Sequence, residues 1–239
     1  MQQNVMVASR FKGPPTSGNG GYVCGLMASV LEGPVEASLK APPPLDTPLT
    51  LEKTPDGAVL KGAEQVLGVA KPATLSLDVP ALPKPLKLGG NPVDAPGRPK
   101  KFEPFGTCFV CGQDREHPDA LCLHSKLVEG VEGMVAAVWK LDQAFENKNG
   151  FVDEAFIWAA LDCPGYFACA AGEPALLGRL TAEIVAPLRA EGEATVIGWN
   201  LGGSGRKRRC GTAVYDASGA LVAKAEGLWI TVDASVITG

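Results

Sequence analysis

Two stretches of the chain are apolar with almost no polar interruption: YVCGLMASVL, residues 22–31, and AFIWAALDCPGYFACAA, residues 155–171. A helix that is apolar nearly all round is buried on most of its sides. The pattern predicts such helices over Gly20–Leu31 and Val152–Ala171. The other apolar segments alternate or are short, as strands are. The first part of the chain offers Val5–Phe11, VEASLKAPPPL, PLTLEKT and AVLKGAEQVLGVA. The second offers LCLHSKL, MVAAVWKL, LLGRLTAEIVAPL, EATVIGWNL, CGTAVYDA and ALVAKAEGLWITV. One apolar helix wrapped by a curved antiparallel meander, twice over, is an α+β layout.

Between the two sets lie residues 78–104, which hold seven of the chain's 20 prolines. That density forbids a regular helix or a central strand, so the segment reads as an extended linker. It divides the 239 residues into an N-terminal unit, 1–77, and a C-terminal unit, 105–239. The two units match in order: strand, helix, several strands. TPDGAVLKGAEQVL compares with DASGALVAKAEGLW, aligning Ala63-Glu64 with Ala225-Glu226, and SLKAPPPLDTPL compares with RLTAEIVAPLRAEG. Internal duplication is the simplest explanation.

Composition narrows the classes. Hydrophobic residues make up 46% of the chain, enough for a sizeable core, and the net charge of −4 argues against general nucleic-acid binding. No apolar run reaches membrane-spanning length, and the N-terminal residues lack a signal-peptide layout. The seven cysteines are scattered and odd in number, as in a reduced cytoplasmic protein.

The first helix is preceded by GPPTSGNGG, residues 13–21. Glycine weakens a helix start, but it leaves bare backbone N–H groups that a ligand can approach. Asn19 is also an ordinary N-cap residue. Asp153 and Glu154 open the second helix, where acids complement the helix dipole. Cys108-x2-Cys111, followed by His117, Cys122 and His124, has a zinc-like first pair, but its second pair lies on one strand-like segment.

Three motifs resemble the hotdog-fold acyl-CoA thioesterases, more narrowly the double-hotdog type with phenylacetate-type features. Asn19-Gly20-Gly21 stands where many of those enzymes have His-Gly-Gly at the start of the central helix. Ala160-Leu161-Asp162 stands in place of their Leu-Leu-Asp. TCFVCG and DALCL fit their Cys-Phe-x-Cys-Gly and the strand after it, and the closing GRKRRCGTAVYDASGALVAKAEG resembles their last hairpin. The resemblance implies two fused hotdog units. It also explains CFVCG without a metal, and neither a metal nor a cofactor is expected beyond a coenzyme A thioester as substrate. Neither half carries a complete set: Ala28 occupies the acid position of the first helix, and Asp153 the His position of the second.

Two readings follow. In one, the halves complement each other and hydrolyse an acyl-CoA thioester at their interface. Gly20 and Gly21 then stabilise the oxyanion, Asn19 orients the substrate or caps the helix, and Asp162 is general base or nucleophile. In the other, the fold binds acyl-CoA without catalysis. A hydratase is a minor third, from Asp119 and His124 at dyad spacing without the intervening Asn-Pro. Arg206 and Arg208, on one strand face by period two, are the candidates for the coenzyme phosphates. Sheet edges and faces left open by a fused pair make a homo-oligomer the expected state.

Overall fold

The computed structural model describes residues 2–98, 102 and 105–238. Eleven strands among the described residues form one antiparallel sheet. Five lie in the first part of the chain: β1 (Gln2–Met6), β2 (Val35–Leu39), β3 (Pro48–Thr54), β4 (Gly57–Lys61) and β5 (Val66–Pro72). Six follow: β6 (Lys126–Leu127), β7 (Met134–Lys140), β8 (Ala175–Ile184), β9 (Glu193–Ser204), β10 (Lys207–Tyr215) and β11 (Leu221–Thr231). The spatial order is β1-β3-β4-β5-β2-β8-β11-β10-β9-β7-β6. Read inward from each end, β1-β3-β4-β5-β2 and β7-β9-β10-β11-β8 are the same plan, with β6 added outside β7. The two runs meet where β2 pairs with β8, Val35 opposite Ala182 and Ser38 opposite Arg179.

That order corrects one detail of the repeat. The strands predicted to correspond, around SLKAPPPL and RLTAEIVAPL, are β2 and β8, the two that meet. The compared closing hairpins are one hairpin out of step. Ala63-Glu64 lies in the turn between β4 and β5, whereas Ala225-Glu226 lies inside β11. Asp-Gly and Ser-Gly both mark tight turns, so turn chemistry alone cannot say which hairpin of a meander it closes.

Helix α1 (Gly20–Ala28) lies against β2, β4, β5 and β8. It is shorter than the predicted span, since Ser29 ends it and the chain turns toward β2. The predicted single helix 152–171 is two: α2 (Glu154–Ala160) and α3 (Cys163–Cys169). Pro164 has no N–H to continue the ladder, and the chain breaks at Leu161-Asp162. The freed carbonyl of Leu161 accepts a hydrogen bond from Thr212 Oγ1 on β10, at 2.9 Å. Helices α1 and α2 cross closely because Gly21 and Gly25 face Trp158, Ala155 and Ala159 with no side chain between.

One face of the sheet and the helices share a core that includes Val135, Ala137, Trp139, Val196 and Val214. The opposite face of the second strand run buries Met134, Ala136, Ile197, Trp199 and Tyr215. The proline-rich segment covers that face with Val79, Leu82 and Leu86, together with Leu77 just before it, and Tyr215 Oη donates to the Pro80 carbonyl at 2.7 Å. The expected linker is thus a packed strap, which is why MVAAVWK is apolar on both faces. Residues 99–101, 103 and 104 of that segment lie outside the described residues. LCLHSKL, expected as a strand, is irregular until Lys126, with Cys122 at φ 53°. No helix among the described residues is long and apolar enough to cross a membrane.

Candidate functional site

Three distant segments converge at the start of α1. The first is 10–21, which leads into that helix. Its Phe11 ring stacks on Tyr22 with centroids 4.2 Å apart. The second is 105–125, which belongs by sequence to the second part of the chain but docks on the first. Phe109 N donates to Lys12 O at 2.8 Å, and Arg10 donates to the carbonyls of Pro118 and Asp119. The third is the break between α2 and α3.

Asp162 sits at that break, 2% exposed. Its Oδ2 accepts from Gly21 N at 2.9 Å and from Asn19 Nδ2 at 2.8 Å. Its Oδ1 is buried with no hydrogen-bond partner among the described residues. Asn19 is equally buried and works with both ends of its amide: Oδ1 accepts from Tyr22 N at 2.9 Å and caps α1, while Nδ2 reaches the carboxylate. Burial pushes the Asp162 carboxyl up to about 7, with the nearby Cys108 raising it further and the Gly21 and Asn19 hydrogen bonds pulling it down. Gly21 has to be glycine, since a Cβ there would stand 2.6 Å from both Asp162 Cβ and the Trp158 carbonyl.

Asn19 and Asp162 border a cavity of about 270 Å³ at the junction of the two strand runs. Leu39, Pro43, Phe105, Tyr166, Leu177 and Trp229 give it apolar walls. Gly20 and Asp162 line it, and Lys40 stands exposed at its edge. The N–H of Gly20 has no acceptor among the described residues, so it remains available at the positive end of α1. Gly21 does not: the carboxylate takes the amide assigned to a substrate carbonyl by the sequence. Trp229, whose ring lines the cavity, has a buried Nε1 with no acceptor among the described residues.

The other candidates lie elsewhere or have other partners. Arg208 forks onto Glu173, with Nε 2.9 Å and Nη2 2.6 Å from its carboxylate oxygens, and Arg206 lies in the β9–β10 turn rather than on the strand. Neither lines the cavity. Asp153 caps α2 through Ala155 N, and Glu154 stands in its first turn. Asp119 is bridged to Arg115 and Arg10, while His124 Nε2 lies 3.3 Å from the Gly112 carbonyl, so the dyad members have different partners. His117 Nε2 is 3.1 Å from Lys140 O, and Cys122 faces the carbonyl of Arg115. Cys108 and Cys111 gather instead with Cys163, a residue not considered from the sequence with that pair. The three sulfurs lie within 4.8 Å of one another. The one sequence signal for Cys163 was its place beside Asp162.

No protein-family model and no curated protein matches the chain. Solved structures do. The tesB protein of Mycobacterium avium subspecies paratuberculosis superposes with a TM-score of 0.63 at 11% identity, over 97% of this chain and 93% of that one. A Thermobifida fusca protein provisionally named a thioesterase II gives 0.60 at 15% identity, over 97% and 92%. A conserved protein of unknown function from Alicyclobacillus acidocaldarius, described as having a hot dog fold, gives 0.56 at 13%, over 97% and 93%. At these identities the likeness speaks for architecture alone: over nearly its whole length this chain has an α+β fold of the hotdog type.

Proposed function

We propose that the protein is two fused hotdog units that hydrolyse the thioester of an apolar acyl group, with acyl-CoA as the substrate class. The observation that carries this is Asp162: a buried carboxylate fixed by two donors through one oxygen, with its other oxygen bare, beside an apolar cavity and a free helix-start amide. A carboxylate buried without a purpose is costly, and its partners here hold it in place without consuming it.

In this reading the acyl chain occupies the apolar cavity and the thioester carbonyl approaches Gly20 N–H. That N–H and the positive end of α1 stabilise the oxyanion. Asp162 Oδ1 takes a proton from the attacking water, or attacks the carbonyl itself to give a mixed anhydride that water then opens. In either case the coenzyme leaves as its thiol. Asn19 positions the carboxylate and does not touch the carbonyl. Lys40, a cation in the cavity lining, takes the place assigned to the Arg206–Arg208 run for a phosphorylated leaving group. One site is expected per chain. The corresponding start of α2 is closed by Asp153 on its own helix and by the packed rings of Phe11, Tyr22, Phe109, Phe145 and Phe156.

The test is release of free thiol from short, long and aryl acyl-CoAs by wild type and Asp162→Asn. Turnover that the variant loses supports hydrolysis. Saturable binding of acyl-CoA with no turnover on any substrate selects the non-catalytic reading.

A further inference from the structure

We infer that Cys108, Cys111 and Cys163 form a three-thiolate site for a soft divalent cation, zinc first, opening on the same cavity. The inference stands apart from the proposed hydrolysis, because it rests on the sulfurs alone. All three are buried, at 2%, 6% and 6% exposure, and all three line the cavity. Their sulfurs lie within 4.8 Å of one another, and Cys108 Sγ is 3.8 Å from Cys163 Sγ. Tetrahedral zinc with bonds of about 2.3 Å to sulfur requires neighbouring sulfurs about 3.8 Å apart. A disulfide needs about 2.05 Å.

The backbone prepares the site. Cys108 and Cys111 flank a tight reversal closed by Gly112 N donating to Cys108 O at 2.9 Å, and Val110 N lies 3.4 Å from Cys108 Sγ. Gly112 makes the reversal possible: a Cβ there would stand 2.3 Å from Gly106 O and 2.6 Å from Cys108 O. The third sulfur comes from the first residue of α3, fixed by the same helix break that places Asp162. Three thiolates and a divalent ion leave one negative charge. Asn19 Nδ2, 3.9 Å from Cys108 Sγ and 4.0 Å from Cys163 Sγ, and the Val110 N–H stand ready to offset it. On binding, the ion displaces the thiol protons to solvent, and nothing is oxidised or reduced. Three protein ligands leave a fourth position, on the cavity side, for water or a ligand donor atom.

The probe is the metal alone. Protein purified under reductant without chelator, or dialysed against zinc, is expected to hold one zinc per chain by elemental analysis. Cobalt(II) added to the stripped protein is expected to give a thiolate-to-cobalt charge-transfer band and tetrahedral visible bands. Cys163→Ser is expected to weaken cobalt binding by about 100-fold or more, since even the loss of a second-shell partner costs 10–100-fold. Cys122→Ser, in the same segment but outside the cluster, should leave it unchanged. Reduced wild type that takes up no zinc overturns the inference. So does a cobalt spectrum without sulfur charge transfer, or one unaltered by Cys163→Ser in folded protein. The wild-type spectrum decides the matter even where the variant does not fold. Zinc-bound protein inert toward every acyl-CoA would refute the proposed hydrolysis and leave the metal site standing.

Discussion

Adding a single methyl group at residue 21 tests the geometry of the whole site. In Gly21→Ala the new Cβ would stand 2.6 Å from Asp162 Cβ, 2.6 Å from the Trp158 carbonyl oxygen and 3.1 Å from Ala159 Cα. Ordinary van der Waals contact begins about 1 Å further out. None of these atoms is the far end of a flexible side chain, so relief comes only by separating α1 from the α2–α3 break. Overpacking costs about 1–3 kcal/mol, and two contacts at 2.6 Å, one of them to backbone, place Gly21→Ala in the upper part of that range, about 2–3 kcal/mol. Alanine recovers up to about 1 kcal/mol through its better helix propensity. The net expectation is a loss of about 1–2 kcal/mol, which for a chain of this size lowers Tm by roughly 2–8 °C. The same separation stretches the 2.9 Å bond from Gly21 N to Asp162, so thiol release should fall together with stability. Gly20→Ala is the control. Its Cβ would meet side-chain atoms of Leu177 and Leu39 at 3.0–3.3 Å, contacts relieved by shifts of a few tenths of an ångström. Gly20→Ala should unfold near the wild-type temperature and lose mainly its tolerance for bulky acyl groups. Thermal unfolding by circular dichroism, read beside thiol release, distinguishes the two. A Gly21→Ala protein as stable as wild type would refute the close contact between the two helices on which the site depends.

Asp162→Asn can keep an oxygen toward Gly21 N and Asn19 Nδ2, so the folded state should survive while thiol release falls by about 10²–10⁴-fold, the usual worth of a positioned acid–base group. A variant that retains full turnover removes Asp162 from the chemistry. Asn19→Ala removes the cap on Tyr22 N and the donor to Asp162 together, and a cap alone is worth about 0.5–2 kcal/mol; denaturant unfolding should show at least that loss, with kcat falling more than KM rises. Arg208→Ala breaks a pair with Glu173 whose side chains are 26% and 21% exposed, so stability should change by no more than about 1 kcal/mol and the KM for acyl-CoA should hold. A large rise in KM would return the phosphate role to that strand. Tyr215→Phe deletes the hydrogen bond to Pro80 and should cost about 0.5–1.5 kcal/mol, with faster proteolysis in residues 78–98 as its signature.

Much of this architecture could be read from the sequence because burial writes itself into periodicity. YVCGLMA is apolar all round because α1 is enclosed by β2, β4, β5, β8 and α2, and the alternation of LVAKAEGLWIT is the two-sided environment of β11. Several features left no such trace. The break at Leu161-Asp162 hides inside a continuous apolar run, because α2 and α3 are both buried. Pro164 was the one local sign, and proline is tolerated in the first turn of a helix as well as at the end of one. The strap over the second strand run resembled an extended linker because of its prolines, although partly buried leucines and a valine pack it onto the sheet. Arg208 looked free because its partner, Glu173, is 35 positions away in sequence.

The site itself shows why sequence reasoning could name its members and still misjudge their roles. Asn19, Gly21 and Asp162 each had an ordinary local explanation: a cap, a close-packed glycine, an acid at a helix kink. In the structure each local account holds, and in the proposed reading the same contacts serve the site. Asn19 caps α1 through Oδ1 and holds the carboxylate through Nδ2; Gly21 lacks a side chain because Asp162 occupies that space; Asp162 is buried because the helix break carries it there. Each half of the chain lacks what the other supplies. The first gives a helix start with one bare amide, that of Gly20, and no acid at position 28, and the second gives an acid from the α2–α3 break, while the start of α2 is capped by Asp153. A duplication with two equal sites would need an acid facing the start of α2, and that region is filled instead by aromatic rings. Among the described residues the cavity therefore has one carboxylate and one free helix-start amide, contributed from opposite sides of the seam where β2 meets β8. Loss of either half of that pair should abolish turnover without a second site to compensate.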